Sequence, residues 1–167
     1  MEKIKTSSQS WTIQENVVQP DIINVNSDAH GGNLTYIADT VAGICFARHN
    51  EQGGVTAAVD NFNYIRSIPM GNLFTAQACI TGTGKRSAEV FVMITGEDLV
   101  KQEKYLAATA FYTYVSTSPQ GQEVPQIKAD SDLAERLMAG YPERRQARLQ
   151  ARHAQKEFEA FLNQYLT

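Results

Sequence analysis

Nothing in this sequence supports a disulfide framework: its 167 residues include two cysteines, Cys45 and Cys79, each set in an apolar stretch. Thiols so placed read as buried, reduced side chains, which suits a cytoplasmic chain. Long apolar runs are lacking too, since no window approaches the roughly 18 consecutive apolar residues of a membrane span. Met1 to Ser10 is polar and has no signal-peptide core, so the chain is expected to be soluble and unprocessed. Nor is there a large excess of one charge: 15 Lys and Arg stand against 18 Asp and Glu, a formal net charge of -3. That balance offers no global attraction to nucleic acid or anionic lipid. Histidine is scarce, and His30, His49 and His153 have no metal-ligand spacing among themselves or with the cysteines, so no metal is expected. No Gly-x-Ser-x-Gly elbow is present.

What remains is enough for one well-buried core. The expected division is a polar leader over 1–10, a single domain over 11–127, and a helical extension over 128–167. Trp11 to Val18 reads as a first strand that ends before Pro20. A loop runs from Gln19 to His30. After Gly31 and Gly32, the apolar residues Leu34, Ile37, Ala38, Val41, Ala42, Cys45 and Phe46 recur three and four apart, which predicts a helix. It is apolar almost all round, as befits a helix wrapped by other elements.

Four extended runs follow: Val55 to Tyr64, Leu73 to Thr81, Ser87 to Thr95 and Tyr105 to Thr117, rich in β-branched and aromatic residues. One buried helix followed by strands predicts an α+β domain, its antiparallel sheet curled around the helix. From Ala129 onward, Ala, Glu, Arg, Leu and Gln predict helix, interrupted at Gly140-Tyr141-Pro142. Its basic residues Arg144, Arg145, Arg148, Arg152 and Lys156 are expected on a solvated face, or else against a phosphate or a neighbouring subunit.

Asp39 stands out, because a carboxylate in the middle of such a helix is costly to bury and rarely serves packing. Desolvation would make it a stronger base. The plainer alternative is a narrow polar stripe with Thr35 that reaches solvent. Gly31-Gly32 adds bare N–H groups at a helix N-terminus, where the helix dipole favours an oxyanion. Gly32 and Asp39 are two helical turns apart, about 10 Å of rise, too far to share one carbonyl within a helix. A second copy of the helix, supplied by a dimer, removes the conflict. Ile80 to Ser87 hints at a phosphate loop but lacks the Gly-x-x-x-x-Gly-Lys-Ser/Thr spacing, so it is expected to be a hairpin turn.

The string from Val18 to Asp39, with Asn24 six residues before His30-Gly31-Gly32, resembles the acyl-CoA hydrolase (thioesterase) family of the brain acyl-CoA hydrolase and its single-domain bacterial relatives. Further similar motifs follow in order: Ala47-Arg48-His49, Val55 to Asp60, Pro69-Met70-Gly71, Gly84 to Val90, Tyr112 to Val115 and Val124-Pro125. Ala88, Asn72 and Asn33 depart from the usual pattern. The resemblance implies a hotdog fold and an active site at the interface of two such domains. The family takes the asparagine from one domain and the helix carboxylate from the other. Carried over, Asp39 would activate water or act as nucleophile, the Gly32 N–H would polarise the thioester carbonyl, and Asn24 would orient water or substrate. CoA, as part of the substrate and with no other cofactor, would meet Arg66, Lys85, Arg86 and Ser87. The expected partners are acyl-CoA and a second copy of the chain, in a homodimer or a trimer of dimers. A non-catalytic acyl-CoA binding or sensing module stands as the alternative. A hotdog dehydratase is a third reading, disfavoured because the helix carries no Glu.

Overall fold

The computed structural model describes residues 3–119 and 121–166, His153 by its backbone alone. A three-residue strand, β1 (Ile4–Thr6), precedes β2 (Thr12–Val17), and α1 spans Gly31–Asn50. Four long strands follow: β3 (Gly54–Tyr64), β4 (Leu73–Thr83), β5 (Ser87–Asp98) and β6 (Glu103–Ser116). A short β7 (Gln126–Lys128) leads into α2 (Asp132–Ala139) and α3 (Tyr141–Leu162). The long elements start and stop within a few residues of the expected ones. The Ile80 to Ser87 segment is the β4–β5 hairpin, closed by Gly84 N–H donating to the Ser87 carbonyl at 2.7 Å.

The five strands β2 to β6 form one antiparallel sheet in the order β2-β4-β5-β6-β3. α1 lies on its inner face. Leu34, Ile37, Ala38, Val41, Ala42, Cys45 and Phe46 are buried along one stripe of the helix, against Ala76, Ala78, Val90, Val92, Ala108, Ala110 and Tyr112 of the sheet. The helix is not enclosed on every side within one protomer, because the sheet curls around only one flank. Tyr36 is 72% exposed and Ile44 42%. Cys45 and Cys79 are free and buried, and burial pushes the Cys79 thiol up to about 12.

Residues 3–10, expected as a polar leader, take part in the fold. β1 pairs in parallel with β7, and Ser7 and Ser8 donate hydrogen bonds to the Asp130 carboxylate, holding it down to about 2. The partners lie more than a hundred residues away, beyond the reach of local pattern. His49, fully buried at the end of α1, fastens the segment before β7. Its Nε2 lies 2.8 Å from the Pro125 carbonyl, which can only accept, so this nitrogen carries the proton.

The first turns of α3 are fastened to the outer face of the sheet. Two of its arginines are neither solvated nor free for a ligand: they close on Glu89 of β5, whose side chain is fully buried. Arg144 binds it in bidentate fashion, with Nη2 to Oε1 at 2.8 Å, and stacks on Phe111; Arg148 binds the other oxygen and reaches Asp60 at 3.6 Å. Thr81 donates to Oε1 at 2.6 Å. The Tyr141 ring fits against Gly82, where any Cβ would stand 2.2 Å from the ring. No helix among the described residues is long and apolar enough to cross a membrane.

Candidate active site

The loop between β2 and α1 is pinned to the Ile68–Gly71 turn. Ala29 N–H donates to Ile68 O at 2.8 Å, Met70 N–H to Ser27 O at 2.8 Å, and Gly71 N–H to Val18 O at 2.9 Å. Within the loop, Asn24 Oδ1 accepts from the N–H groups of Asn26 and Asp28 at 2.9 and 3.2 Å. Its oxygen is thereby committed to a local turn, and its amide nitrogen is the group left to donate.

His30 caps α1, its Nδ1 accepting from the Gly32 N–H at 3.0 Å. Tyr64, at the end of β3, donates to the Gly31 carbonyl at 2.9 Å, and its oxygen lies 2.7 Å from the Thr35 hydroxyl. A Cβ on Gly31 would stand 3.3 Å from the Tyr64 ring, so the glycine lets the strand end close over the helix start. Thr35 is therefore engaged at this end and forms no free polar stripe with Asp39.

Asp39 is partly buried, and hydrogen bonding rather than full desolvation defines it. Thr56, near the start of β3, donates to Asp39 Oδ1 at 2.7 Å. Tyr114 of β6 donates to the same oxygen at 2.9 Å and to the Asp39 carbonyl at 2.8 Å. Burial first, and then the neighbouring Asp39, pushes the Tyr114 phenol up to about 12, so it stays a donor at neutral pH. Stacking on Phe46 at 5.3 Å between centroids fixes the ring, and a Cβ on Gly43 would stand 3.1 Å from its hydroxyl. With Oδ1 doubly held, Oδ2 is the oxygen left to take a proton or attack. Thr56 and Tyr114 were not singled out from sequence, because threonine and tyrosine are ordinary strand residues.

The structure does not gather all the expected residues in one protomer. Asn24 and Asp39 are engaged with different partners, and Gly32 and Asp39 occupy one regular helix, about 10 Å apart along its axis. Arg66 lies at one end of the sheet, paired with Glu103 at 2.8 Å and stacked 3.9 Å from the Tyr105 ring centroid. Lys85, Arg86 and Ser87 lie at the other end, where Lys85 meets Glu123 at 3.2 Å and Arg86 donates to the Ser116 carbonyl at 3.3 Å. Ser87 borders a cleft of about 810 Å³ beneath α3, also lined by Arg145 and Arg152. The β6 stretch between the two groups, from Ala107 to Ser116, is roughly 30 Å long at strand rise. Among the described residues, no cluster of three or more His, Cys, Asp or Glu side chains is placed to hold a metal.

Residues 26–102 match the family model of the thioesterase superfamily. The cytosolic acyl coenzyme A thioester hydrolase of Homo sapiens is 36% identical over 122 residues, covering 72% of this chain and 32% of that protein. The chain thus spans about a third of that relative's length. An uncharacterized acyl-CoA thioester hydrolase of Bacillus subtilis is 31% identical over 130 residues, covering 78% of this chain and 76% of that one. Among solved structures, the Staphylococcus aureus acyl-CoA hydrolase in complex with butyryl-CoA, CoA and CoA disulfide has a TM-score of 0.90 at 26% identity, over 95% of this chain and 98% of that one. An apo-hexameric acyl-CoA thioesterase superposes with a TM-score of 0.86 at 26% identity, over 89% and 97% of the two chains. The Staphylococcus enzyme has also been solved with an asparagine, an aspartate and a threonine each changed to alanine. Those positions are separated by the same intervals as Asn24, Asp39 and Thr56. With its hotdog sheet, its Gly-Gly helix start and this shared likeness, the chain belongs to the thioesterase superfamily, among the acyl-CoA thioester hydrolases.

Proposed function

We propose that this chain hydrolyses acyl-CoA thioesters to free fatty acid and CoA, at a site built from two protomers. The observation that carries the reading is the Asp39 carboxylate, tethered through Oδ1 by Thr56 and Tyr114 so that Oδ2 is free to act. Asp39 removes a proton from water as it attacks the thioester carbonyl, or attacks directly and is released by water. The Gly32 N–H stabilises the developing oxyanion, and the Asn24 amide orients water or substrate. The C–S bond breaks with CoA leaving as a thiolate, so activating the nucleophile matters more than protonating the leaving group. The human relative is named cytosolic, and the cytoplasm is where we place this activity.

The placement of β3 supports a shared site. It is an edge strand, with Val55 and Val59 exposed at 55% and 45%. Its start touches Asp39 through Thr56, and its end touches the helix N-terminus through Tyr64. Antiparallel pairing of β3 with its copy sets the Thr56 end of one protomer against the Tyr64 end of the other. The Asp39 of one then approaches the Gly32 and Asn24 of its partner. The same symmetry carries the Arg66 end of one sheet towards the Lys85, Arg86 and Ser87 end of the other, where the CoA phosphates would lie. Three such dimers would make a hexamer.

The test is free-thiol release from a panel of acyl-CoAs. Asp39→Ala is expected to lose on the order of a hundredfold or more in kcat, while equilibrium dialysis shows CoA still bound. Full activity in Asp39→Ala overturns the mechanism, and binding without thiol release by the wild type overturns the activity itself.

A further inference from the structure

The donor proposed for the thioester carbonyl already has an acceptor within the chain. Gly32 N–H donates to His30 Nδ1 at 3.0 Å, and the imidazole lies against the glycine so closely that a Cβ there would stand 3.1 Å from ring Cε1 and Nδ1. His30 has the extended backbone of an N-cap, φ -66 and ψ 129, and within the single protomer it is exposed, so the ring can swing out without unpacking that protomer's core. The helix body stays held meanwhile by Tyr64 on the Gly31 carbonyl and by the buried stripe from Leu34 to Phe46.

We infer that His30 is a displaceable cap: its imidazole closes the N-terminus of α1 and yields the Gly32 N–H to the incoming thioester oxygen. The inference rests on the assignment of Gly32 to the carbonyl. One N–H cannot donate fully to two acceptors in different directions, so imidazole and carbonyl compete for it. Substrate affinity is reduced by the fraction of sites in which the N–H is open. A hydrogen bond of ordinary net strength favours the closed form by roughly three- to tenfold. Once the carbonyl is seated the cap no longer touches the reacting atoms. His30 is therefore a positioning residue, with its effect in KM and not in kcat. A cap that served the fold alone would move stability and leave KM where it was.

Kinetics on the full chain test this, with wild type, His30→Phe, His30→Ala and His30→Asn compared on the same acyl-CoA. His30→Phe and His30→Ala are expected to lower KM about three- to tenfold with kcat within about twofold. His30→Asn restores a side-chain acceptor at the cap and should return KM to the wild-type value. Selective ¹⁵N-glycine labelling then follows the Gly32 amide as a ketone analogue of the acyl-CoA binds. If that amide shifts on binding while KM is unchanged or raised in both cap-deleted variants, the cap inference fails and the role of Gly32 survives. If the amide stays still in every variant, the assignment of Gly32 fails and the cap falls with it. Should a variant not fold, ¹⁵N-histidine spectra of the wild type decide. The Nδ1 resonance of His30 must move when the analogue binds, and a stationary resonance overturns the inference.

Discussion

Tyr114 illustrates how little of a carboxylate's environment is visible in its own element. Its hydroxyl holds both Oδ1 and the main-chain carbonyl of Asp39, while Phe46 and Gly43 fix the ring. Tyr114→Phe keeps the ring but releases the carboxylate to rotate away from the attacking geometry. It is expected to lower kcat by roughly ten- to a hundredfold with little change in KM. Thr56→Val should do likewise, and because both residues hold the same oxygen, the double substitution should cost less than the product of the two. His49 makes a pH prediction. Burial lowers its pKa from the usual 6.5, so below that value the unfolded chain takes a proton that the folded chain refuses. Stability is fully present above about pH 6.5 and declines as the pH falls. Urea midpoints across that window should fall with acid in the wild type and vary less in His49→Gln. At this scale Asp39 drew notice by its own setting, a carboxylate inside an apolar helix, and Gly32 by its place at a helix start, whereas Asn24 was marked only by the resemblance to the acyl-CoA hydrolases. Thr56 and Tyr114 went unmarked because only the curl of the sheet turns them toward Asp39.

Among the elements, α3 is the one whose attachment local pattern concealed. Its arginines have the composition of a solvated face, yet Arg144 and Arg148 converge on Glu89, 55 and 59 residues away. Removing Glu89 leaves Arg144 at the sheet without its counter-charge and Arg148 with only Asp60, 3.6 Å away, and breaking such a buried pair costs about 3–5 kcal/mol. Glu89→Ala is expected to lower the urea midpoint accordingly and to expose α3 to limited proteolysis. An equally stable variant with α3 protected would show that the cluster does not hold the helix. The long strands were legible because β-branched and aromatic residues mark them without reference to partners. β1 and β7, three residues each, were not, since only their mutual pairing makes them strands.

For the assembled molecule, a site drawn from two protomers makes a quantitative prediction. Asn24→Ala and Asp39→Ala should each be inactive alone. Mixed in equal amounts and allowed to exchange, about half of the dimers would be hybrids, each with one site carrying both lesions and one carrying none. Activity should return to about one quarter of the wild-type value, and no recovery after demonstrated exchange would place both residues in the same protomer's site. The proposed sharing has its root in the sequence, in the two turns between Gly32 and Asp39, a distance fixed by helix geometry whatever the rest of the fold.

The bare edge at β3 also bears on what becomes of a protomer deprived of its partner. An 11-residue strand with outward valines and an unpaired row of amide and carbonyl groups will accept any extended chain that offers itself. Substitutions that abolish pairing without blunting that row should turn an enzyme into a sticky monomer. Lost turnover and a growing tendency to aggregate would then be two readings of the same vacant edge.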